Sequence, residues 1–134
     1  MILDDLLNEV YFNQACDLFT KGSHHRNISV ILITQNLFHQ GSYCRDIYLN
    51  AKYLVLLKTS GIRISSCLAR EVYPENSASL YKAYLNATQR PHGYLLQDLS
   101  QDTDDRLRFG TDIFLTEQTI IYSPIRDEAS EIEL

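Results

Sequence analysis

What this chain lacks narrows it first. No Gly-x-x-x-x-Gly-Lys-Ser/Thr run occurs in its 134 residues, so it carries no phosphate-cradling loop of its own. Cysteine is scarce: Cys16, Cys44 and Cys67 are scattered, with no Cys-x-x-Cys pair or ligand-like spacing. That excludes a disulfide framework and a zinc knuckle and fits a reducing compartment. No apolar stretch reaches the length of a membrane span, and no secretory leader is expected ahead of the fold. An excess of base is missing too. The net charge is −5, and Asp127 to Leu134 holds four acids and no base, so the bulk charge gives no support for nucleic-acid binding. Neither an internal repeat nor a low-complexity segment is present.

The 45% of hydrophobic residues is ordinary for a globular chain, and the length suits one domain or a piece of one. Ile2-Leu3 reads as a buried strand already under way at Met1, as though the N-terminus were cut inside it. Leu6, Leu7, Val10, Tyr11, Ala15, Leu18 and Phe19 recur at three- and four-residue spacing and predict a helix over Asp5–Phe19, ended by Gly22 with Lys21 in its last turn. Ser23–Asn27 is read as a polar loop, and the β-branched run Ile28–Thr34 as a central parallel strand. A short helix is expected over Tyr43–Asn50, a buried strand over Tyr53–Leu57, and a helix over Ile62–Val72 stopped by Pro74. Ser77 is expected to cap a helix running through Ala87, with Leu80, Ala83, Tyr84 and Ala87 on one side. Tyr94–Leu96 reads as a strand ended by Asp98, and Leu107–Leu115 as a last edge strand. Strands alternating with helices predict a doubly wound, mostly parallel α/β sheet.

Two strand ends carry the candidate chemistry. The opening strand finishes on Asp4-Asp5, and the run through Ile33-Thr34 finishes on Gln35-Asn36. Ligands of parallel sheets sit outside the carboxyl ends of the strands. Apolar residues followed by two acids have the form of a Walker B motif, in which one carboxylate holds hydrated Mg²⁺ and the next orients the attacking water. Plainer readings stand beside this one. Asp4-Asp5 also suits the cap of a following helix, and Gln35-Asn36 a strand-end turn. Arg26 suits an ordinary solvated loop cation. His24-His25 is a poor metal pair, because adjacent side chains diverge and no further ligand stands at the right spacing. Tyr11, Tyr53, Tyr84 and Tyr94 fall on apolar faces and are expected in the core.

The run Leu18-Phe19-Thr20-Lys21-Gly22-Ser23-His24-His25-Arg26-Asn27-Ile28-Ser29-Val30-Ile31, continued by Thr34-Gln35-Asn36-Leu37-Phe38, resembles the genome-packaging ATPases of large DNA viruses and Maverick/Polinton elements, P-loop motors of the FtsK–HerA class. Leu49–Leu56, Leu68–Pro74 and Gly93–Leu99 are similar to the same family, and together they make one collinear match over roughly residues 2–115. The resemblance implies a partial P-loop (RecA-like) ATPase domain over 1–115, with an acidic mobile tail over 116–134. It implies ATP and Mg²⁺ as cofactors, Asp4 as the metal acid, Asp5 as the catalytic acid and Gln35 as the sensor of the γ-phosphate. It also implies Arg26 as a cation facing a neighbouring subunit's nucleotide, in a homo-oligomeric ring. Double-stranded DNA and viral capsid components are the implied partners, and the nucleus, a viral factory or the virion the implied location. The chain departs from the family at Asp5, where glutamate is commoner, and over Thr59–Ile62, where an Asn-Pro segment is expected.

Two further readings belong to other classes. A decayed or domesticated remnant without catalysis suits the absent phosphate loop and the acidic tail. A phosphoacceptor receiver domain also places an acidic pair after its first strand, with Thr and Lys after later ones, as Asp4-Asp5, Thr34 and Lys58 do. It requires a third aspartate on an intervening strand, and only one helix and a loop fit between Asp5 and Ile28.

Overall fold

The computed structural model describes residues 1–4, 9–35, 42–58, 70, 74–114, 116 and 118–124, with backbone alone at 9–12, 23–24 and 42–44. Asp5 and, apart from Arg70, the helix expected over Ile62–Val72 lie outside the described residues. The chain divides into two compact units, Met1–Lys52 and Tyr53–Leu134.

In the first unit, β1 (Ile2–Asp4) pairs in parallel with β2 (Ile31–Ile33), with Ile2 opposite Ile31, Leu3 opposite Leu32 and Asp4 opposite Ile33. The connection between them is helical throughout most of its length. It runs through α1 (Glu9–Asp17), a π-helical turn (Leu18–Gly22) and the short α2 (Ser23–Arg26). The polar loop expected over Ser23–Asn27 is therefore helix, and the turn of the chain falls to Asn27, a left-handed residue at φ 49°. Asn tolerates that conformation better than most side chains. Gly22 stays in the right-handed helical region, so the helix does not stop where expected. A parallel pair requires such a long crossover, which returns the chain to the end where it started. α3 (Ser42–Asn50) packs against α1 and the π-turn. Ala15, Cys16 and Ile47 form the buried centre, with Leu3, Phe19 and Leu32 packed on it. Leu3 and Leu32 point inward because side chains alternate along a strand. The same alternation turns Ile2 (67% exposed), Ile31 (54%) and Ile33 (49%) outward.

In the second unit, β3 (Tyr53–Leu57), β4 (Tyr94–Asp98), β5 (Phe109–Thr111) and β6 (Ile120–Tyr122) form a four-stranded sheet in chain order. Every neighbouring pair in it is antiparallel. The chain is therefore mixed α/β, and the mostly parallel sheet read from strand–helix alternation is not what the described residues form. Residues 99–108 and 112–119 are too short to cross over a sheet, and so they dictate hairpin pairing. The strand expected at the edge over Leu107–Leu115 begins instead with a 3₁₀ turn (Asp105–Leu107). Its strand portion, β5, is buried at all three residues between β4 and β6. β6 itself falls within the stretch read as a tail.

The helix α4 (Ser77–Ala87) lies on β4 through Leu80, Ala83, Tyr84 and Ala87, the expected i, i+3, i+4, i+7 set. Asn76 rather than Ser77 stands at its N-cap, without a side-chain capping bond. The Tyr84 hydroxyl donates to the Leu57 carbonyl at 3.1 Å, and Tyr122 Oη donates to Asn86 Oδ1 at 2.7 Å, tying β3 and β6 to the helix. Leu95, Gln97, Phe109 and Thr111 form the inner face of the sheet. Tyr53, expected in the core, is 53% exposed on the other face, beside the outward Val55 and Leu57.

Candidate functional site

The rim of the β1–β2 pair is the place where the sequence-predicted groups meet. Asp4 closes β1 opposite Ile33, and Gln35 lies two residues beyond Ile33. The strands run the same way, so both polar residues stand at one carboxyl edge of the pair, Gln35 two residues further along than the strand partner of Asp4. Asp4, Ile33 and Gln35 are all exposed. Asp4 and its partner Ile33 share one face of the pair, and Gln35 lies in a bend just past the strand end. This juxtaposition comes from the helical crossover alone, since no hairpin brings two carboxyl ends together.

Arg26 stands elsewhere. It ends α2 and enters β2 through Asn27 and residues 28–30. The Ile31 N–H donates to the Met1 carbonyl at 2.9 Å, so that approach is at the amino end of the pair, one strand length from Asp4. Arg26 is exposed, and the ion pairs among the described residues include those of Arg90, Arg106 and Arg108 with Asp112, Asp104 and Asp105. The strand pair thus gathers Asp4 and Gln35 and leaves Arg26 at its far end.

No match was found among protein-family models, curated proteins or solved structures.

The donor set at the rim is sparse. Among the described residues, no three His, Cys, Asp or Glu side chains come together as a metal-holding group. Three such ligands are not what the described residues bring to Asp4. Mg²⁺ asks for less: it keeps several waters and is commonly held by one or two carboxylates together with substrate phosphates. A single exposed carboxylate beside a carboxamide fits that role. The carboxylate would anchor hydrated Mg²⁺ and the Gln35 amide would hydrogen-bond a phosphate oxygen or water. No helix among the described residues is long and apolar enough to cross a membrane.

A second polar constellation escaped the sequence reading, which used Asp98 only as a strand stop. Its carboxylate accepts from the Ser100 N–H and from Thr103 Oγ1, both at 2.9 Å. Arg108 Nη1 donates to the Asp98 and Ser100 carbonyls at 3.2 and 2.7 Å, and its Nε to Asp105 at 2.6 Å. Partial burial opposes ionisation of Asp98, but the bonds from Ser100 and Thr103 and the Arg108 charge outweigh it, and its pKa lies below the ordinary carboxylate value. These contacts fold residues 98–108 onto themselves. The readable signal was Asp-x-Ser, an Asx-turn pattern. The partners of the Asp98 carboxylate and of Arg108 lie within residues 98–108, so the cluster organises the loop, while Ser100 Oγ is buried with no hydrogen-bond partner among the described residues. The neighbouring Gln97 is 3% exposed and its Oε1 accepts no hydrogen bond among the described residues.

Proposed function

We propose that this chain supplies the Walker B and sensor part of an ATP-driven motor that moves double-stranded DNA, of the packaging type in the FtsK–HerA class. The observation that carries the reading is the parallel register of β1 and β2, which aligns Asp4 with Ile33 and leads directly to Gln35 at the same rim. In this reading Asp4 anchors hydrated Mg²⁺, Asp5 orients the attacking water, and Gln35 senses the γ-phosphate. ATP and Mg²⁺ are the cofactors, and a mostly parallel RecA-like sheet would be completed by strands outside these residues. Arg26, at the far end of the strand pair, enters only through a neighbouring subunit of a ring. Double-stranded DNA and capsid components are the partners, in a nucleus, viral factory or virion.

The chain holds no phosphate loop, so the β- and γ-phosphates have no cradle within it. The 134 residues alone are therefore expected to show no Mg²⁺-dependent ATP turnover. The deciding experiment extends the reading frame upstream of Met1. A preceding strand followed by Gly-x-x-x-x-Gly-Lys-Ser/Thr, in a longer protein that hydrolyses ATP and loses about 10²-fold or more of kcat in Asp5→Asn, supports the motor. An upstream sequence without that loop favours the second reading, a non-catalytic remnant. Turnover by the 134-residue chain that vanishes in Asp4→Asn would contradict the expected inactivity.

A further inference from the structure

The acidic average hides one strongly lopsided stretch. From Leu18 to Arg45 there is no Asp or Glu, while Lys21, Arg26, Arg45 and three of the four histidines (His24, His25, His39) lie there, in a chain of net charge −5. The structure concentrates the densest part of it. Lys21 is in the π-turn and His25 and Arg26 are in α2, which continues that turn through Gly22 in helical conformation. Lys21 precedes His25 by four positions and Arg26 by five on one continuous helical path, which keeps the three within about a turn and a half of one another, and Asp17, four before Lys21, is the acid that precedes them. All three are exposed.

The surroundings of these cations decide what they suit. Residues 20–27 read Thr-Lys-Gly-Ser-His-His-Arg-Asn and include no aliphatic side chain and no Phe, Tyr or Trp; the imidazoles of His24 and His25 are their only rings. Protein interfaces are anchored by buried aromatic, aliphatic and Arg centres, and single-stranded nucleic acid by stacked aromatics. Arg26 and His25 are exposed here rather than buried as anchors, and no Phe, Tyr, Trp or aliphatic side chain stands on this turn. Lys, Arg, Ser, Thr and Asn are, in contrast, the side chains that hold phosphate oxygens along a duplex. We propose that the Lys21–Arg26 turn is a contact surface for the phosphodiester backbone of a nucleic-acid duplex. It positions the polymer and reads no base sequence. The assignment rests on charge and exposure at the amino end of the strand pair and is independent of the nucleotide reading of the Asp4 rim. It gives Arg26 a polymer phosphate as its partner in place of a neighbour's nucleotide.

The test is fluorescence anisotropy with the whole chain and a labelled duplex of about 20 base pairs, in EDTA without nucleotide, starting at about 20 mM salt. Binding is expected at low salt. K21E/R26E is expected to raise Kd about tenfold or more, and K21Q/R26Q to reduce the slope of log K against log salt by about two. K58E/K82E makes the same change in net charge in the second unit and is expected to shift Kd less than about threefold. Unchanged circular dichroism reports an intact fold, and the glutamine pair keeps the test decisive where the glutamate pair unfolds. Failure of the wild-type chain to bind duplex at low salt overturns the proposal. So does equal weakening by K58E/K82E, or tighter binding of a single strand of the same length. ATP and Mg²⁺ are absent throughout, so these results report the polymer contact and not the nucleotide chemistry of the Asp4 rim, and an inactive ATP site leaves this surface untouched.

Discussion

Asp98 gathers donors from three residues of its own loop, and single substitutions there have calculable effects. Asp98→Ala removes an ionised acceptor from the Ser100 and Thr103 donors and is expected to cost about 1–3 kcal/mol of stability, measured by urea unfolding. The sign of its pH dependence follows from the lowered pKa. Ionised Asp98 stabilises the fold above the ordinary carboxylate pKa of about 4, and this contribution is lost as pH falls through the lower folded-state value. The stability gap between wild type and Asp98→Asn is therefore expected to be full at neutral pH and to shrink below about pH 4. Leu95, with no exposed surface, belongs to the apolar counterpart of this account. Leu95→Ala is expected to cost about 2–5 kcal/mol, since both lost transfer energy and a cavity are involved. Gly93 is constrained differently: a Cβ there would run into the Ala87 carbonyl oxygen and come within 3.0 Å of the Arg90 carbonyl oxygen. Those oxygens are backbone and cannot swing aside, so Gly93→Ala is expected to lower the melting temperature, read by a thermal scan, even though it adds helix-friendly bulk.

At the scale of elements, the legible parts were those with long periodic signals. α1 and α4 announced themselves by three- and four-residue spacing, and β3 by an unbroken apolar run. The same alternation of strand and helix misled about pairing, because order along the chain does not reveal direction in a sheet. Connection length does, and residues 99–108 and 112–119 could have been recognised as hairpin loops. β6 was missed for a different reason. Three residues, Ile120–Tyr122, are too few to establish a period, and they sit between polar neighbours. Its role is nonetheless specific: Phe109–Tyr122, Gly110–Ile121 and Thr111–Ile120 are its registered pairs with β5. Removing residues 119–134 would leave the buried β5 with an unpaired edge. A truncated chain is accordingly expected to unfold at lower urea and to bind more of a hydrophobic dye than the intact chain does. The candidate site was half readable. Asp4 and Gln35 could be placed at one rim from two apolar runs ending in polar residues. The placement of Arg26 depended on α2, where sequence composition indicated a loop.

At the scale of the whole molecule, the two units differ in how much of their sheet surface is covered. Parallel strands are normally buried on both faces, yet Ile2, Ile31 and Ile33 face outward from a two-stranded parallel pair. The second unit pairs four strands and covers one face with α4. Local opening is expected to be easier in the first unit. Hydrogen exchange should be faster at Ile31 N–H, bonded to Met1, than at Asp98 N–H, bonded to Arg108 at 2.8 Å. The outward Tyr53, Val55 and Leu57 on the edge strand β3 make a further liability, because such edges recruit other chains. Val55→Lys is expected to raise the soluble fraction in a light-scattering concentration series. The chain order of the sheet has a consequence for its biogenesis. Translation releases β4, β5 and β6 in the sequence in which they stack, so each strand can dock on a predecessor already outside the ribosome. The nascent sheet then waits on Ile120–Tyr122, and until that last hairpin clears the exit tunnel, Phe109–Thr111 is its growing and unprotected margin.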